Sequence, residues 1–157
     1  MSYQRKSWQE KLNDDKGLPK VVEITEKMSM RWGTGTCVVP APKEVDAIMK
    51  RVPRGKLTTI NEIRNDLAKK HHATIGCPIT TGIFASIAAH AAADEAEKGN
   101  KNITPYWRTL KAGGIINEKY PGGVEEQKRL LQKEGHQVDQ KGRKTVVIDF
   151  EKNLVKL

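Results

Sequence analysis

The sequence predicts an α/β domain built around a winged helix-turn-helix, with short N- and C-terminal strands added. Two segments with helical spacing of apolar residues are separated by the break Gly76-Cys77-Pro78, which is typical of a helix-turn-helix. A glycine-containing segment from Leu110 to Ile116 then has the composition of a hairpin and would form the wing. Runs rich in β-branched residues at 21–25 and 145–150 predict the added strands.

Three elements are predicted ahead of the helix-turn-helix. Residues 21–25 and 36–39 have the pattern of short strands around the turn Gly33-Thr34-Gly35. Apolar residues then recur with helical spacing from Pro42, which suits a first helical turn, until Pro53 ends the run. The chain therefore divides into an N-terminal extension with short strands (1–41), a winged-helix domain (42–136) and a C-terminal strand segment that packs on the same domain (137–157).

Both helices of the predicted helix-turn-helix have start signals. Thr59 with Glu62 three residues later is a capping-box pattern, so the first helix should run to about Lys70. Thr80 or Thr81 can cap the second helix, which should end near Gly99. The apolar residues expected to be buried are Ile60, Ile63 and Leu67 on the first helix, and Ile83, Phe84, Ile87 and Ala91 on the second.

Two further elements complete the predicted domain. A last helix should run from about Val124 to Glu134, with Gly135 ending it. The run from Thr145 to Phe150 is a strong strand signal. We expect this strand to pair with one from the N-terminal extension, so that the two chain ends form an added strand pair.

Composition and charge restrict the classes of function. The 157 residues carry 28 Lys+Arg against 19 Asp+Glu, a formal net charge of +9. This surplus fits a polyanionic partner such as DNA, although many small soluble domains are simply basic. No apolar run is long enough to span a bilayer or to form a signal peptide, so we expect a cytoplasmic protein without membrane contact. Cys37 and Cys77 are too few for a disulfide framework and are expected to be reduced.

The most informative motif is Pro105-Tyr106-Trp107-Arg108, followed by a Gly-rich stretch that ends in Tyr120-Pro121-Gly122-Gly123. It resembles the active-site segment of the O6-alkylguanine-DNA alkyltransferases, which carry Pro-Cys-His-Arg-Val, a short hairpin, and Tyr-x-Gly-Gly opening a helix. Residues 52–59 also resemble that family's entry into its first helix-turn-helix helix, and the similarity extends from Pro42 to Gly135. The resemblance implies a DNA-binding domain of the alkyltransferase type, with the cysteine-lacking alkyltransferase-like proteins as the nearest relatives.

The resemblance also implies that the family's reaction is lost. Tyr106 stands where the alkyl-accepting cysteine belongs and Trp107 where its activating histidine belongs, and a phenol and an indole cannot replace a thiolate and its base. Arg108 and Glu134 still match the family, whose glutamate orients the missing histidine, but Glu134 can equally be a solvated residue near a helix end. Tyr106 and Trp107 would either stack on a base or fill the vacated pocket as core. We expect a catalytically inactive methyltransferase homologue without cofactor or metal.

Two positions in the helix-turn-helix depart from the family. The tyrosine that rotates the damaged nucleotide corresponds to Ile60 and the arginine that enters the base stack corresponds to Gly82, so base flipping would lack its usual compensation. The second helix has no Lys or Arg between Thr81 and Ala93 to read base edges. It has a stripe of small residues that would permit either close approach to a minor groove or tight helix packing: Gly82, Ala85, Ser86, Ala89 and Ala93.

The predicted function is non-enzymatic binding of double-stranded DNA by a monomer, through the minor groove, with a role in DNA repair or alkylation-damage recognition. Two alternatives stay open: a protein-interaction or structural winged-helix domain without DNA binding, and alkyl transfer to Cys77, whose place at a helix entrance can lower a thiol pKa. Arg54 and Lys56 are expected to contact phosphates rather than bases. The predicted DNA contacts are Arg54, Lys56, Thr59, Thr80, Thr81, Gly82, Ser86 and Lys111.

Overall fold

The computed structural model describes residues 6–157 as a mixed α/β fold. Its α-helices are α1 (Trp8–Asn13), α2 (Glu26–Trp32), α3 (Pro42–Lys50), α4 (Ile60–Lys70), α5 (Pro78–Glu97) and α6 (Gly123–Lys133). Its strands are β1 (Lys20–Glu23), β2 (Thr36–Val39), β3 (Thr58–Thr59), β4 (Ile75–Gly76), β5 (Thr109–Leu110), β6 (Val138–Lys141) and β7 (Lys144–Val147). Short 3-10 turns lie at Tyr106–Arg108, Ala112–Gly114 and Phe150–Asn153. None of these helices is long and apolar enough to cross a membrane.

The predicted winged helix-turn-helix is confirmed. Helix α4, the turn that contains β4, and α5 follow one another as expected, and the wing closes where Lys111 pairs with Ile115. The strands form three small sheets with the orders β1-β2-β4, β3-β5 and β6-β7. Because β2 runs parallel to β4, with Cys37 opposite Ile75, the N-terminal strands are attached directly to the turn of the helix-turn-helix.

The N-terminal strands are joined by a helix that the sequence pattern did not predict. The Thr25 Oγ1 accepts a hydrogen bond from the Met28 amide at 3.3 Å and so starts α2, which explains why β1 ends before the predicted limit at Thr25. The glycine turn predicted at residues 33–35 begins where α2 ends, at Gly33 with a φ of 79°. Beyond it β2 returns antiparallel to β1.

The predicted pairing between the two chain ends is wrong. Strand β7 pairs with β6, with Lys141 opposite Lys144 across the two-residue turn Gly142-Arg143. The positive φ of 62° at Gly142 suits such a tight hairpin. An antiparallel partner that lies next along the chain needs no long connection, and β1 and β7 each pair with such a neighbour, β2 and β6.

The core consists of two clusters that meet at the Pro105-Tyr106-Trp107-Arg108 segment. The main cluster lies among α1, α3, α4 and α5, and the smaller one is formed by Leu57, Leu110, Ile116, Leu131 and Val147. Trp107 is partly buried against both. Just before this segment, the Thr104 hydroxyl donates to the Asp46 carboxylate at 2.6 Å and so fixes the incoming chain to α3.

Candidate nucleic-acid interface

Local contacts fix the turn of the helix-turn-helix against α4. Thr59 caps α4 as predicted, because its Oγ1 accepts the Glu62 amide at 3.3 Å. The Arg64 Nε donates to the carbonyl of Gly76 at 2.8 Å. A Cβ at position 76 would lie 2.6 Å from the Arg64 carbonyl oxygen, so only glycine fits there without a backbone shift. These contacts fix the position of the start of α5 relative to α4.

Helix α5 begins earlier than predicted. Cys77 is its N-cap residue and Pro78 its first residue, with no side-chain capping hydrogen bond. A proline at the first helical position has a suitable fixed φ and no amide hydrogen to satisfy. The prediction that Thr80 or Thr81 caps this helix is therefore wrong, and both hydroxyls are buried inside its first turn.

A groove of about 710 Å³ lies between α5, the start of α4 and the segment that contains the wing. Three of the predicted DNA contacts meet in it: Gly82, Ser86 and Lys111. Helix α1 also contributes to its wall. The lining residues are Trp8, Lys11, Ile60, Asn61, Arg64, Pro78, Ile79, Gly82, Ile83, Ser86, Ile87, Lys111, Ala112, Asn117 and Lys119.

The face of α5 that borders this groove is apolar. Ile79 is 59% exposed and Ile83 is 51% exposed, one helical turn apart. The prediction that Ile83 is buried is wrong, whereas Phe84 and Ala91 are buried as expected. Apolar residues occur on all sides of α5, so their spacing did not reveal which of them the neighbouring helices cover.

The predicted stripe of small residues divides between two roles. Ala85 and Ala89 are buried in the main core cluster, where they allow close helix packing. Gly82 and Ser86 line the groove, and a Cβ at Gly82 would meet open space. The packing interpretation therefore holds for Ala85 and Ala89, and close approach of Gly82 and Ser86 to a minor groove stays a prediction.

The charged residues of the groove are all cations. Lys11, Arg64, Lys111 and Lys119 line it, and none of its lining residues is an Asp or Glu. The Lys111 ammonium lies 3.2 Å from a Glu118 carboxylate oxygen, in a largely exposed pair that contributes little to stability. The groove therefore combines an apolar surface with a positive potential.

The other predicted contacts lie outside the groove. Arg54 and Lys56 are exposed on the turn before β3, where their contact with phosphates stays a prediction. Thr59 and Thr81 are buried, and the Thr80 hydroxyl is buried too, so in this conformation the three hydroxyls face the protein interior. Of these threonines, only Thr59 caps a helix, and none of the three offers its hydroxyl to a ligand in this conformation.

Tyr106, which we expected either to stack on a base or to fill the vacated pocket as core, is a core residue. It is only 5% exposed and belongs to the main core cluster. Its ring makes edge contacts with Trp107, at 5.4 Å between centroids, and with Tyr120, at 5.7 Å. Burial raises the pKa of the Tyr106 phenol above its ordinary value. Neither Tyr106 nor Trp107 lines the groove, which favours the interpretation of these rings as core.

Glu134 is a buried hydrogen-bond acceptor at the end of α6, and the interpretation of it as a solvated residue is wrong. Its side chain is 5% exposed. It accepts hydrogen bonds from the Arg108 Nε at 3.0 Å, the Trp107 Nε1 at 2.9 Å and the Gly55 amide at 3.3 Å. Burial raises the pKa of this carboxyl, but the hydrogen bonds from Arg108, Trp107 and Gly55 outweigh it and hold the pKa below its usual range. Trp107, which stands where the family has its histidine, is thus held by the glutamate.

The two cysteines are buried and neither is among the residues that line the groove, although Cys77 directly precedes Pro78, which is. Burial, together with the neighbouring Cys77 thiol, raises the pKa of Cys37 to about 11, so that this thiol stays protonated. Alkyl transfer to Cys77 would require the helix start to open. Across residues 6–157, no three His, Cys, Asp or Glu side chains converge as a metal site would require.

Helix α1 is a part of the site that the sequence analysis missed. Trp8 stacks on His90 of α5, with ring centroids 4.3 Å apart, and Lys11 lies over the Trp8 ring. The His90 Nε2 is 3.0 Å from the Lys119 carbonyl, which links α1, α5 and the end of the wing segment. The available signal was the capping box Ser7 with Glu10, whose two hydrogen bonds start this helix.

These elements define a winged helix-turn-helix fold. Solved structures with this fold include the crystal structure of S. pombe Atl1 in complex with damaged DNA containing O6-carboxymethylguanine, which is 18% identical with a TM-score of 0.53. A crystal structure of S. pombe ATL in complex with DNA is 17% identical with a TM-score of 0.51. Each match covers 74% of this chain and 94% of the other. No protein-family model matches the chain, and the search of curated proteins finds no significant match. At such identities the likeness establishes the fold.

Proposed function

We propose that this protein binds double-stranded DNA in the groove between α5 and the wing, as a monomer and without chemical turnover. The observation that carries the proposal is the set of four cations, without any carboxylate, among the residues that line the groove. A surface of this kind attracts phosphates and releases their condensed counterions. The proposal is supported by the shared fold with S. pombe Atl1, which was solved in complex with DNA.

The groove suits binding that is independent of sequence. Helix α5 carries no Lys, Arg, Asn or Gln over its whole length, and these are the side chains that usually read base edges. Its exposed Ile79 and Ile83 favour contact with a minor groove, where apolar side chains approach base steps. Affinity would then come from phosphate contacts by Lys11, Lys111 and Lys119.

The chemistry of the motif supports the proposal that the protein binds DNA without chemical turnover. Tyr106 and Trp107 offer neither a thiolate nor a base, and both cysteines are buried. The Atl1 complex with O6-carboxymethylguanine supports a role in alkylation-damage recognition. Because Tyr106 and Tyr120 are buried in the main core cluster and do not line the groove, we attribute any preference for damaged DNA to the shape of the duplex and not to an extruded base.

The test is a salt titration of duplex binding by fluorescence anisotropy. The logarithm of the binding constant should fall linearly with the logarithm of the salt concentration, with a slope of about −0.9 per phosphate contact. Lys119→Glu should weaken binding to all sequences alike, whereas Lys101→Glu, an exposed cation outside the groove lining, should not. Arg54→Glu with Lys56→Glu then tests whether the turn before β3 adds further contacts.

If the protein binds the duplex with micromolar or tighter affinity at none of the salt concentrations, this function is rejected and the alternative of a protein-interaction domain is favoured. Equal effects of Lys119→Glu and Lys101→Glu would reject the groove as the binding surface, since only general net charge would then matter. A duplex that contains O6-carboxymethylguanine, compared with its undamaged counterpart, measures any preference for the lesion separately from duplex binding.

A further inference from the structure

The β6–β7 hairpin is joined to the wing by backbone hydrogen bonds. The Ile116 amide donates to the Thr145 carbonyl at 2.8 Å, and Ile115 forms an antiparallel bridge with Val146. Gly114 lies so close to the Phe150 ring that a Cβ there would collide with it, and its φ is +78°. The hairpin and the wing therefore form one layer with a fixed relative position.

The tip of this hairpin carries an exposed cluster of cations. Lys141, Arg143 and Lys144 surround the turn at Gly142, and all are exposed. Over residues 6–157, none of the three forms a salt bridge. The only carboxylate on the two strands is Asp139, which accepts a hydrogen bond from the Gln140 amide at 2.8 Å. The tip is thus a concentrated positive charge without a partner inside the described chain.

This cluster is continuous with the proposed DNA groove. A depression of about 490 Å³ is lined by Arg143 and Lys144 from the hairpin, by Lys111 and Ala112 from the wing, and by Glu118, which pairs with Lys111. Its three cations outnumber this one carboxylate. Lys111 and Ala112 also line the groove beside α5. A duplex held in the groove would therefore pass the hairpin tip next.

We propose that the β6–β7 hairpin is a second wing that contacts phosphates of the same duplex beyond the groove. This inference rests on the proposed DNA binding of the groove. From Thr145, which is bonded to the wing, to Gly142 at the tip, the strand extends about 10 Å, or about three base pairs of additional duplex. The tip residues 141–144 are all polar or glycine, which favours phosphates over insertion into a lipid surface.

The experiment compares three full-length proteins by salt titration on duplexes of decreasing length. The test variant combines Lys141→Ala, Arg143→Ala and Lys144→Ala. The matched control combines Lys20→Ala, Lys27→Ala and Arg31→Ala, which removes the same number of exposed lysines and arginines from the N-terminal strand and helix. Thermal unfolding verifies that both variants remain folded.

We expect the hairpin variant to lose about 2.7 from the magnitude of the salt slope, since three phosphate contacts contribute about 0.9 each. The wild-type protein should need a duplex about three base pairs longer than the hairpin variant to reach full affinity. The control variant should keep the slope and the length dependence of the wild type.

Two results would overturn the inference, and they differ from a failure of the proposed function. If the hairpin variant keeps the wild-type slope while Lys119→Glu still weakens binding, the groove binds DNA and the hairpin does not. Binding of the wild type and of the hairpin variant to phosphatidylserine vesicles is measured as well. If the wild type binds these vesicles and the hairpin variant does not, while both bind DNA equally, the cluster serves a membrane surface. If the wild type shows no duplex binding at all, the proposed function fails and the second wing fails with it.

Discussion

Replacement of Glu134 by alanine should destabilise the protein more than any change of a surface charge. The substitution removes the acceptor for Arg108, Trp107 and the Gly55 amide together. Arg108, whose side chain is 13% exposed, would keep only the Val52 carbonyl, at 2.8 Å from its Nη1. Loss of one partner from a buried ion pair costs about 3–5 kcal/mol, because the remaining charge is left uncompensated.

The assay is urea denaturation with thermal unfolding as a second measurement. For a domain of this size, about 3–5 kcal/mol corresponds to a decrease of about 6–20 °C in Tm. Glu134→Gln should cost less, since its amide oxygen still accepts one or two hydrogen bonds. The control is Glu118→Gln, which breaks the exposed pair with Lys111 and should change stability by less than about 1 kcal/mol.

A double-mutant cycle that combines Glu134→Ala with Arg108→Ala separates the interaction between these two side chains from their other contacts. We expect a coupling free energy of about 0.5–3 kcal/mol between positions 108 and 134. A loss for Glu134→Ala no larger than that for Glu118→Gln would refute the reasoning, since it would mean that Glu134 is solvated in solution and does not hold Trp107.

Four further predictions follow from the same geometry. Tyr106→Ala should lower the free energy of unfolding by about 3–5 kcal/mol, as for other buried aromatic residues, and should weaken binding to damaged and undamaged duplexes equally. A loss of affinity for damaged DNA alone, at unchanged Tm, would contradict the role of Tyr106 as a core residue. The lowered pKa of Glu134 means that its stabilising contribution is complete above the pKa of the unfolded chain, about 4.3, and is lost as the pH falls through the folded-state value. Urea denaturation between pH 3 and 6, roughly the titration range of such a carboxyl, should therefore give a smaller acid loss for Glu134→Gln, and equal losses would speak against this linkage. Ile83→Ser should weaken duplex binding by about 1–2 kcal/mol with little change in Tm, because the side chain is half exposed in the free protein and would be covered in the proposed complex; an unchanged affinity would exclude apolar contact by α5. Incubation with DNA that carries labelled O6-methylguanine should leave the protein unlabelled, and stoichiometric label on Cys77 or Cys37 would overturn the proposal that the protein binds DNA without chemical turnover.

The sequence alone determined the elements whose signals are local. A threonine cap with Glu62 three residues later, the Gly76-Cys77-Pro78 break and the glycines of the wing were sufficient to predict α4, α5 and the wing hairpin that follows them. The residue types at positions 106 and 107 likewise excluded the alkyl-transfer chemistry at those positions, because side-chain chemistry does not depend on the fold.

Tertiary structure decided which surfaces are covered and which residues meet. Helix α5 is apolar on all sides, so only the positions of α1, α3 and α4 determine that Ala85 and Ala89 are buried while Ile79 and Ile83 remain open. The choice of β6 as the partner of β7 depends on competition among the strands that could pair with it. The place of α1 in the groove depends on contacts between segments that are distant in the sequence. Glu134 is the clearest case, since its burial depends on Gly55 and Arg108, which lie 79 and 26 residues away along the chain. Periodicity reports which side chains share a face of a helix, but the packing of other elements decides which face is buried.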